Sequence, residues 1–197
     1  MCNSLLLDSL DLNSSFILRD YLYRELLPII KQKRTIIFLC IGSDRSTGDS
    51  LGPLVGDKLK FSIKKSIYFY GSLENPIHAK NLKETIISIN KKFKNPYIVA
   101  IDACLGTVQN VGKILIEKKP LKPGLAVSKD LPPVGDLSIL GIVNICGSLE
   151  FMVLQNTRLY TVVTLANSIS IAINHFILKV FGNNKTKFIN KIEDVIN

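Results

Sequence analysis

Two aspartates, far apart in the chain, each follow an apolar run that is typical of a buried strand. Asp49 lies in "CIGSDRSTGDSLGP", directly behind the run "TIIFLC", and Asp102 lies near the end of "IVAIDACLG". The carboxyl ends of parallel strands meet at one edge of a sheet, where adjacent strands are about 4.8 Å apart. We therefore expect these two carboxyl groups to approach each other in a crevice at that edge.

Such a pair of acids could do hydrolytic chemistry in two ways. Two carboxyl groups at close range cannot both ionise cheaply, so they tend to share one proton. One member could then activate a water molecule while the other protonates a leaving amine. Alternatively, both stay ionised and hold a divalent metal ion that polarises a carbonyl. Both arrangements lead to amide hydrolysis, and the sequence leaves both open.

The glycine-rich loop around Asp49 argues against a nucleotide site. A Walker loop carries a lysine that neutralises phosphate charge, and here Asp49 stands in that place. Gly42 and Gly48 are also one residue too far apart for the Walker spacing, and the dinucleotide fingerprint G-x-G-x-x-G is absent. An acid facing a phosphate would repel it.

Further candidates for substrate contact flank the two acids. They are Asp44, Arg45, Thr47 and Gly48 in the first loop, and Asp136 and Asn144 in "VGDLSILGIVN". Asp44 and Arg45 could instead pair with each other on the surface. Either catalytic candidate, taken alone, could equally serve as a helix cap or a turn residue. Together, behind the first and third strands of a parallel sheet, they favour a functional site.

The order of apolar segments predicts the fold. The run "SSFILRDYLYRELLPIIKQK" predicts a helix over about residues 14–32, followed by strand, helix, strand, helix and strand. This alternation is typical of a three-layer α/β/α sandwich with a mainly parallel sheet, whose strand order would begin 2-1-3. After the third strand, glycine and proline punctuate short β-rich pieces, which predicts a β-rich insertion. Helices over about 157–181 and 187–197 would complete a single domain, 1–197.

Composition narrows the class of protein. The chain has 197 residues and a net charge of +9, but its lysines are scattered and not interleaved with aromatics, so we do not expect nucleic-acid binding. Four cysteines form no CxxC pair, which fits a reducing compartment. The amino-terminal residues lack the features of a signal peptide. Polar residues interrupt the apolar stretch 159–181, so we expect a helix that covers the sheet, with no membrane partner.

At the two aspartate motifs the sequence resembles a known family. "IGSDRSTGDSLGPLVGDKL" followed by "IVAIDACLG" is similar to the bacterial spore (germination) protease and its smaller sporulation-associated relatives, over residues from about 30 to 180. More distantly it resembles the hydrogenase-maturation endopeptidases. The spore protease uses an aspartate in a "D-[AS]-L-G-P" segment and another in an "I-D-A" segment. The resemblance therefore implies that Asp49 and Asp102 are catalytic.

This resemblance implies an atypical aspartic endopeptidase of three-layer α/β/α fold that acts on small acid-soluble spore proteins during germination. Its location would be cytoplasmic, in the forespore or spore interior, and its partner a protein or peptide substrate. The hydrogenase-maturation relatives place an acid, an aspartate and a histidine around nickel. Only His78 and His175 are present here, so we expect no cofactor, with a divalent metal between the two acids as the alternative. A non-catalytic binding protein and a homo-oligomer also stay open.

Overall fold

The computed structural model describes residues 4–123 and 133–182. The strands are β1 (Ser4–Asp8), β2 (Ile36–Cys40), β3 (Ile67–Tyr70), β4 (Tyr97–Gly106), β5 (Lys113–Glu117) and β6 (Leu137–Ile145). The helices are α1 (Ser14–Lys31), α2 (Leu51–Leu59), α3 (Leu82–Lys92), α4 (Glu150–Gln155) and α5 (Leu159–Phe181). Short 3₁₀ turns occupy Gly48–Ser50 and Val108–Asn110.

The strands form one six-stranded mixed sheet in the order β1-β5-β6-β4-β2-β3. The strands β3, β2, β4 and β6 are mutually parallel, and β5 runs antiparallel to its neighbours β1 and β6. All five residues of β2 are buried, which explains its uninterrupted apolar sequence, since a central parallel strand is covered on both faces. The mostly parallel α/β sheet agrees with the sequence.

Helices cover both faces of the sheet. One core cluster joins α1, α2 and α5 to one face, and it contains Leu22, Val55 and Phe176. A second cluster joins α3 to the other face, and it contains Leu82 and Ile89. Because β2 and β4 contribute alternate residues to the two clusters, their backbones lie at the centre of the molecule. The ends of these two strands are therefore held firmly.

The structure differs from the sequence-based prediction in two places. The segment after β4 is not a separate β-rich insertion, because β5 and β6 join the main sheet and β6 pairs directly with β4. The amino-terminal strand β1 was not expected, and it pairs with β5 at the edge of the sheet. The expected helix over about 187–197 lies outside the described residues.

The long apolar helix α5 packs against the rest of the fold. Among the helices that the structure describes, it is the one long and apolar enough to cross a membrane, yet over half of its most apolar window is buried. It contacts α1 and α2 along its length. The apolar character of α5 is therefore explained by its place in the core, which is common for a central helix.

Candidate active site

The loop after β2 is fixed by backbone hydrogen bonds. The Gly42 N–H donates to the Ile77 carbonyl oxygen at 2.7 Å, which attaches the loop to the segment that follows β3. The Ser43 N–H donates to the Asp49 carbonyl oxygen at 3.0 Å, which closes the loop on itself. The turn Gly48–Ser50 then leads directly into α2. Asp49 is thus placed by the backbone of its own loop.

Two glycines allow this loop to be so tight. Gly42 has φ +140°, a conformation that residues with a side chain rarely adopt. A Cβ at Gly42 would overlap the Asp49 carbonyl oxygen, and a Cβ at Gly48 would lie 2.8 Å from Cδ2 of Leu154 on α4. The first glycine lets the loop fold back on itself, and the second lets α4 approach it.

Asp102 lies in the neighbouring strand, β4, as the last of the six buried residues with which the strand begins. The residue is 8% exposed, and it pairs with Leu140 of β6. One of its carboxyl oxygens, Oδ1, accepts a hydrogen bond from the Ala103 N–H at 2.8 Å. The carboxyl group is therefore held close to the backbone at the carboxyl end of the parallel strands.

Asp49 and Asp102 line the same cavity, whose volume is about 920 Å³. Apolar groups form most of its wall, including Ile41, Leu121 and Leu140. This volume is large enough for several residues of an extended peptide, since ligand pockets span roughly 300–1,000 Å³. The two acids that the sequence singled out therefore share a cleft with room for a substrate.

The surroundings of the two acids shift their pKa values to different extents. Burial, and then the negative charge of Asp49, raise the pKa of Asp102 well above its ordinary value, while the Ala103 N–H acts in the opposite direction. Burial also raises the pKa of Asp49, but the Ser43 N–H and the charge of His78 counteract that rise. Asp102 is the member of the pair that keeps a proton more readily.

The other candidates in the first loop are placed differently from one another. Arg45 lines the cavity with Asp49. Asp44 is exposed, and within the described residues it forms no ion pair with Arg45. The Thr47 carbonyl oxygen accepts a hydrogen bond from the Ser50 hydroxyl at 2.6 Å, and Thr47 is not part of the cavity wall. Arg45 is therefore the loop residue beside Asp49 that is best placed to meet a substrate.

The candidates around β6 are used for structure. Asp136 lies at the start of the strand, away from the cavity, and its Oδ2 accepts a hydrogen bond from the Ile98 N–H at 2.8 Å. Asn144 lies near the opposite end, where its side-chain amide donates to the Val153 carbonyl oxygen at 3.3 Å and to Thr157 Oγ1 at 3.2 Å. Asp136 is not brought to the site, and Asn144 ties α4 to the sheet.

His78 lines the cavity with the two acids, although the sequence analysis gave it no role. The Asn81 side chain accepts a hydrogen bond from the His78 N–H at 2.8 Å. The imidazole Nδ1 accepts a hydrogen bond from the Lys80 N–H at 3.3 Å. No signal in the local sequence identifies it, because His78 lies eight residues beyond the end of β3 and reaches the site through the bridge between Ile41 and Ile77.

Two cysteines and the start of α4 complete the wall on the β6 side of the cavity. Cys104, Cys146, Glu150, Phe151 and Leu154 all line it. Burial raises the pKa of Cys104 to about 12, and the charge of Asp102 adds to the effect. A thiol with such a pKa is not a nucleophile at neutral pH, because the thiolate is the reactive form. Cys104 is therefore excluded as a nucleophile in this cavity at neutral pH.

The side chains of the cavity offer few ligands for a metal ion. Across residues 4–123 and 133–182, no group of three or more His, Cys, Asp or Glu side chains is arranged to hold one. Asp49 and Asp102 alone would offer two carboxylates, fewer ligands than divalent metals usually take from a protein site. The residues do not fit a closed metal site, and we assign no chemical step to a metal.

Comparison with known proteins places the chain in a family. Residues 7–172 match the model of a family described as "Protein of unknown function (DUF1256)". The chain belongs to this family. A relative, the uncharacterized protein YyaC of Bacillus subtilis (strain 168), is 56% identical over 134 residues. That match covers 68% of this chain and 65% of YyaC, so it spans slightly less than two thirds of the relative.

A solved structure shares the fold of this DUF1256 member. It is the [NiFe] hydrogenase maturation protease HycI from Thermococcus kodakarensis KOD1, with a TM-score of 0.51 and 19% sequence identity. The match covers 73% of this chain and 92% of HycI. At this identity the likeness shows the fold alone. The expected relation to hydrogenase-maturation endopeptidases is therefore confirmed at the level of fold, and the closer relation to the spore protease stays a prediction.

Proposed function

We propose that this protein is a hydrolase that cleaves peptide bonds with Asp49 and Asp102. The observation that carries the proposal is that two carboxyl groups, one from the loop after β2 and one from β4, line one largely apolar cavity. Their different surroundings supply a base and an acid within a single site. Such a division is what hydrolysis of an amide requires.

In this mechanism Asp49 is ionised and takes a proton from a water molecule. The resulting hydroxide adds to the carbonyl carbon of the peptide. Asp102, which holds a proton, gives it to the nitrogen of the leaving amine as the C–N bond breaks. A carboxylic acid and an amine leave, and transfer of the proton from Asp49 to Asp102 restores the starting state.

We further propose that the substrate is an extended stretch of protein, with small acid-soluble spore proteins as the first candidates and the spore interior as the location. The resemblance of the two aspartate motifs to those of the spore protease supports this choice. The volume and apolar lining of the cavity support an extended segment that carries an apolar side chain.

The test is to incubate the purified protein with small acid-soluble spore proteins and to identify fragments by mass spectrometry. We expect defined fragments, which are absent when Asp49→Asn is used at the same concentration. Binding without cleavage, equal in both proteins, would contradict the hydrolase and support a binding protein on the same fold. Fragments that appear only after a divalent metal is added would contradict the metal-free mechanism.

Replacing the two cysteines of the cavity should leave peptide cleavage close to the wild-type level. The raised pKa of Cys104 keeps its thiol protonated at neutral pH, so Cys104→Ala removes no nucleophile. Cleavage by the double variant Cys104→Ala/Cys146→Ala, measured with the same spore proteins, checks this. Loss of cleavage in a correctly folded double variant would point to a cysteine peptidase instead.

Replacing Phe151 should weaken substrate binding without slowing the chemical step. Phe151 is 52% exposed and lines the cavity, so it offers an apolar surface to a peptide. For Phe151→Ala we expect KM to rise about tenfold, since the loss of part of one aromatic contact is worth about 1.4 kcal/mol. Met152 on the same helix is also 52% exposed but is not part of the cavity wall, so Met152→Ala is the matched control. Equal KM values for the two variants would contradict this role.

A further inference from the structure

Backbone contacts made by Ile77 and by His78 itself fix the position of His78. The preceding residue, Ile77, forms a parallel β-bridge with Ile41 at the start of the Asp49 loop. The His78 carbonyl oxygen accepts hydrogen bonds from the N–H groups of Asn81 and Leu82 at 3.1 and 3.0 Å. His78 therefore cannot move away from the Asp49 loop unless the start of α3 moves with it.

The ring itself is directed by a local hydrogen bond. Because Nδ1 accepts from the Lys80 N–H, the neutral ring carries its proton on Nε2. His78 lines the cavity that holds Asp49 and Asp102, and its charge acts to lower the pKa of Asp49. An imidazole is cationic in weakly acidic solution, where it attracts a neighbouring carboxylate.

Other charged groups line both of the cavities that His78 borders. The charged residues that line the first cavity include Arg45, Asp49, Lys80 and Asp102. Those that line a second cavity, of about 790 Å³, which His78 also borders, are Lys60, Glu74 and Glu84. Of the side chains around Asp49, His78 is the one whose charge lowers the pKa of Asp49, and the Ser43 N–H acts in the same direction.

We propose that His78 is a positioning residue of the aspartate pair, whose imidazole holds Asp49 in the ionised form so that the shared proton rests on Asp102. This role rests on the proposed peptidase function for its catalytic meaning. The cavity that His78 shares with Asp49, and the bridge between Ile41 and Ile77 that brings the two segments together, do not depend on that function. With His78 in place, the general base is ready at a lower pH than a buried aspartate alone would allow.

The test compares His78→Gln with His175→Gln, because the chain has only these two histidines. His175 stacks on Phe16 with ring centroids 5.5 Å apart and does not line the cavity. The titration midpoint of the Asp49 carboxyl group is followed by carbon-13 NMR. We expect the midpoint to rise by about half a pH unit or more in His78→Gln, because a positive neighbour is lost, and to stay unchanged in His175→Gln.

Activity gives a second readout. In His78→Gln the acidic limb of the pH profile for cleavage should move to higher pH by the same amount, with KM unchanged. An Asp49 midpoint that does not move in His78→Gln would overturn the role of His78. A midpoint that moves in a protein without any cleavage activity would support the role and reject the peptidase. If His78→Gln does not fold, His78→Asn replaces it, since its side-chain oxygen can still accept from the Lys80 N–H.

Discussion

Replacing Asp102 with asparagine is expected to remove cleavage activity and to stabilise the folded protein. Loss of the proton donor should lower the rate about 10²–10⁴-fold. Stability should increase at neutral pH because the pKa of Asp102 is raised in the folded state, so folding then works against the ionisation of this side chain. Asparagine keeps an oxygen for the hydrogen bond from the Ala103 N–H.

The sign of this effect gives it a pH dependence. Below the pKa of the unfolded state the aspartate is protonated in both states, and its pKa shift then costs no stability. As the pH rises above that value, only the unfolded state ionises freely, so wild type loses stability relative to Asp102→Asn. The melting temperature of the variant should exceed that of wild type by about 2–4 °C for each kcal/mol at pH 7, with a smaller difference near pH 3.5.

Asp49→Asn is the matched variant for this experiment. It should also lose cleavage activity, because the general base is gone. It removes the charge that raises the pKa of Asp102, so its gain in stability has a different pH dependence. Thermal melts and cleavage assays across pH check both variants. Full activity in either one, or a lower melting temperature for Asp102→Asn at pH 7, would contradict the acid pair.

Replacing Gly42 with alanine should have the second large effect, on both stability and activity. The φ of +140° is strained for alanine, and its Cβ would overlap the Asp49 carbonyl oxygen. Strain of this kind costs about 1–3 kcal/mol, and the overlap adds to it. The melting temperature should fall by about 10 °C. The rate of cleavage should fall about 10²-fold, because the general base Asp49 is displaced.

Gly147→Ala is the control for this variant. A Cβ at Gly147 would have nothing within 4 Å, and the residue lies beyond β6 at the same end of the sheet. Its melting temperature and activity should match those of wild type. If Gly42→Ala keeps the wild-type melting temperature and activity, the loop does not place Asp49 in the way described here.

The sequence predicted the centre of the fold better than its edge. The apolar runs of β2 and β4 are unbroken because helices cover both faces of these strands, and such runs are easily identified. The strand β1 has only five residues, and its partner β5 is more than a hundred residues away in the chain. The strand β6 was assigned to an insertion because nearby glycine and proline residues interrupt the pattern. Both strands join the sheet by pairing with residues that are distant in the chain, and the local sequence does not show this pairing.

For the residues of the candidate site, the direction of the strands decides which of them the sequence could predict. The direction of the central strands predicts that Asp49 and Asp102 meet, and the structure brings Asp49, in the loop after β2, and Asp102, in the second half of β4, to one cavity. Asp136 precedes its strand, so it lies at the opposite edge, and attention to strand direction would have excluded it. His78 could not be found by such a rule, because the bridge between Ile41 and Ile77 that brings it to the site joins two loops.

The proposed mechanism requires that the two aspartates share one proton, with Asp102 as its holder. Carbon-13 NMR of the carboxyl groups, recorded as a function of pH in wild type and in Asp49→Asn, tests it directly. We expect Asp102 to titrate well above 3.8, the ordinary value for aspartate, and its midpoint to fall when the charge of Asp49 is removed. A midpoint for Asp102 near the ordinary value, or one that does not change in Asp49→Asn, would contradict the account.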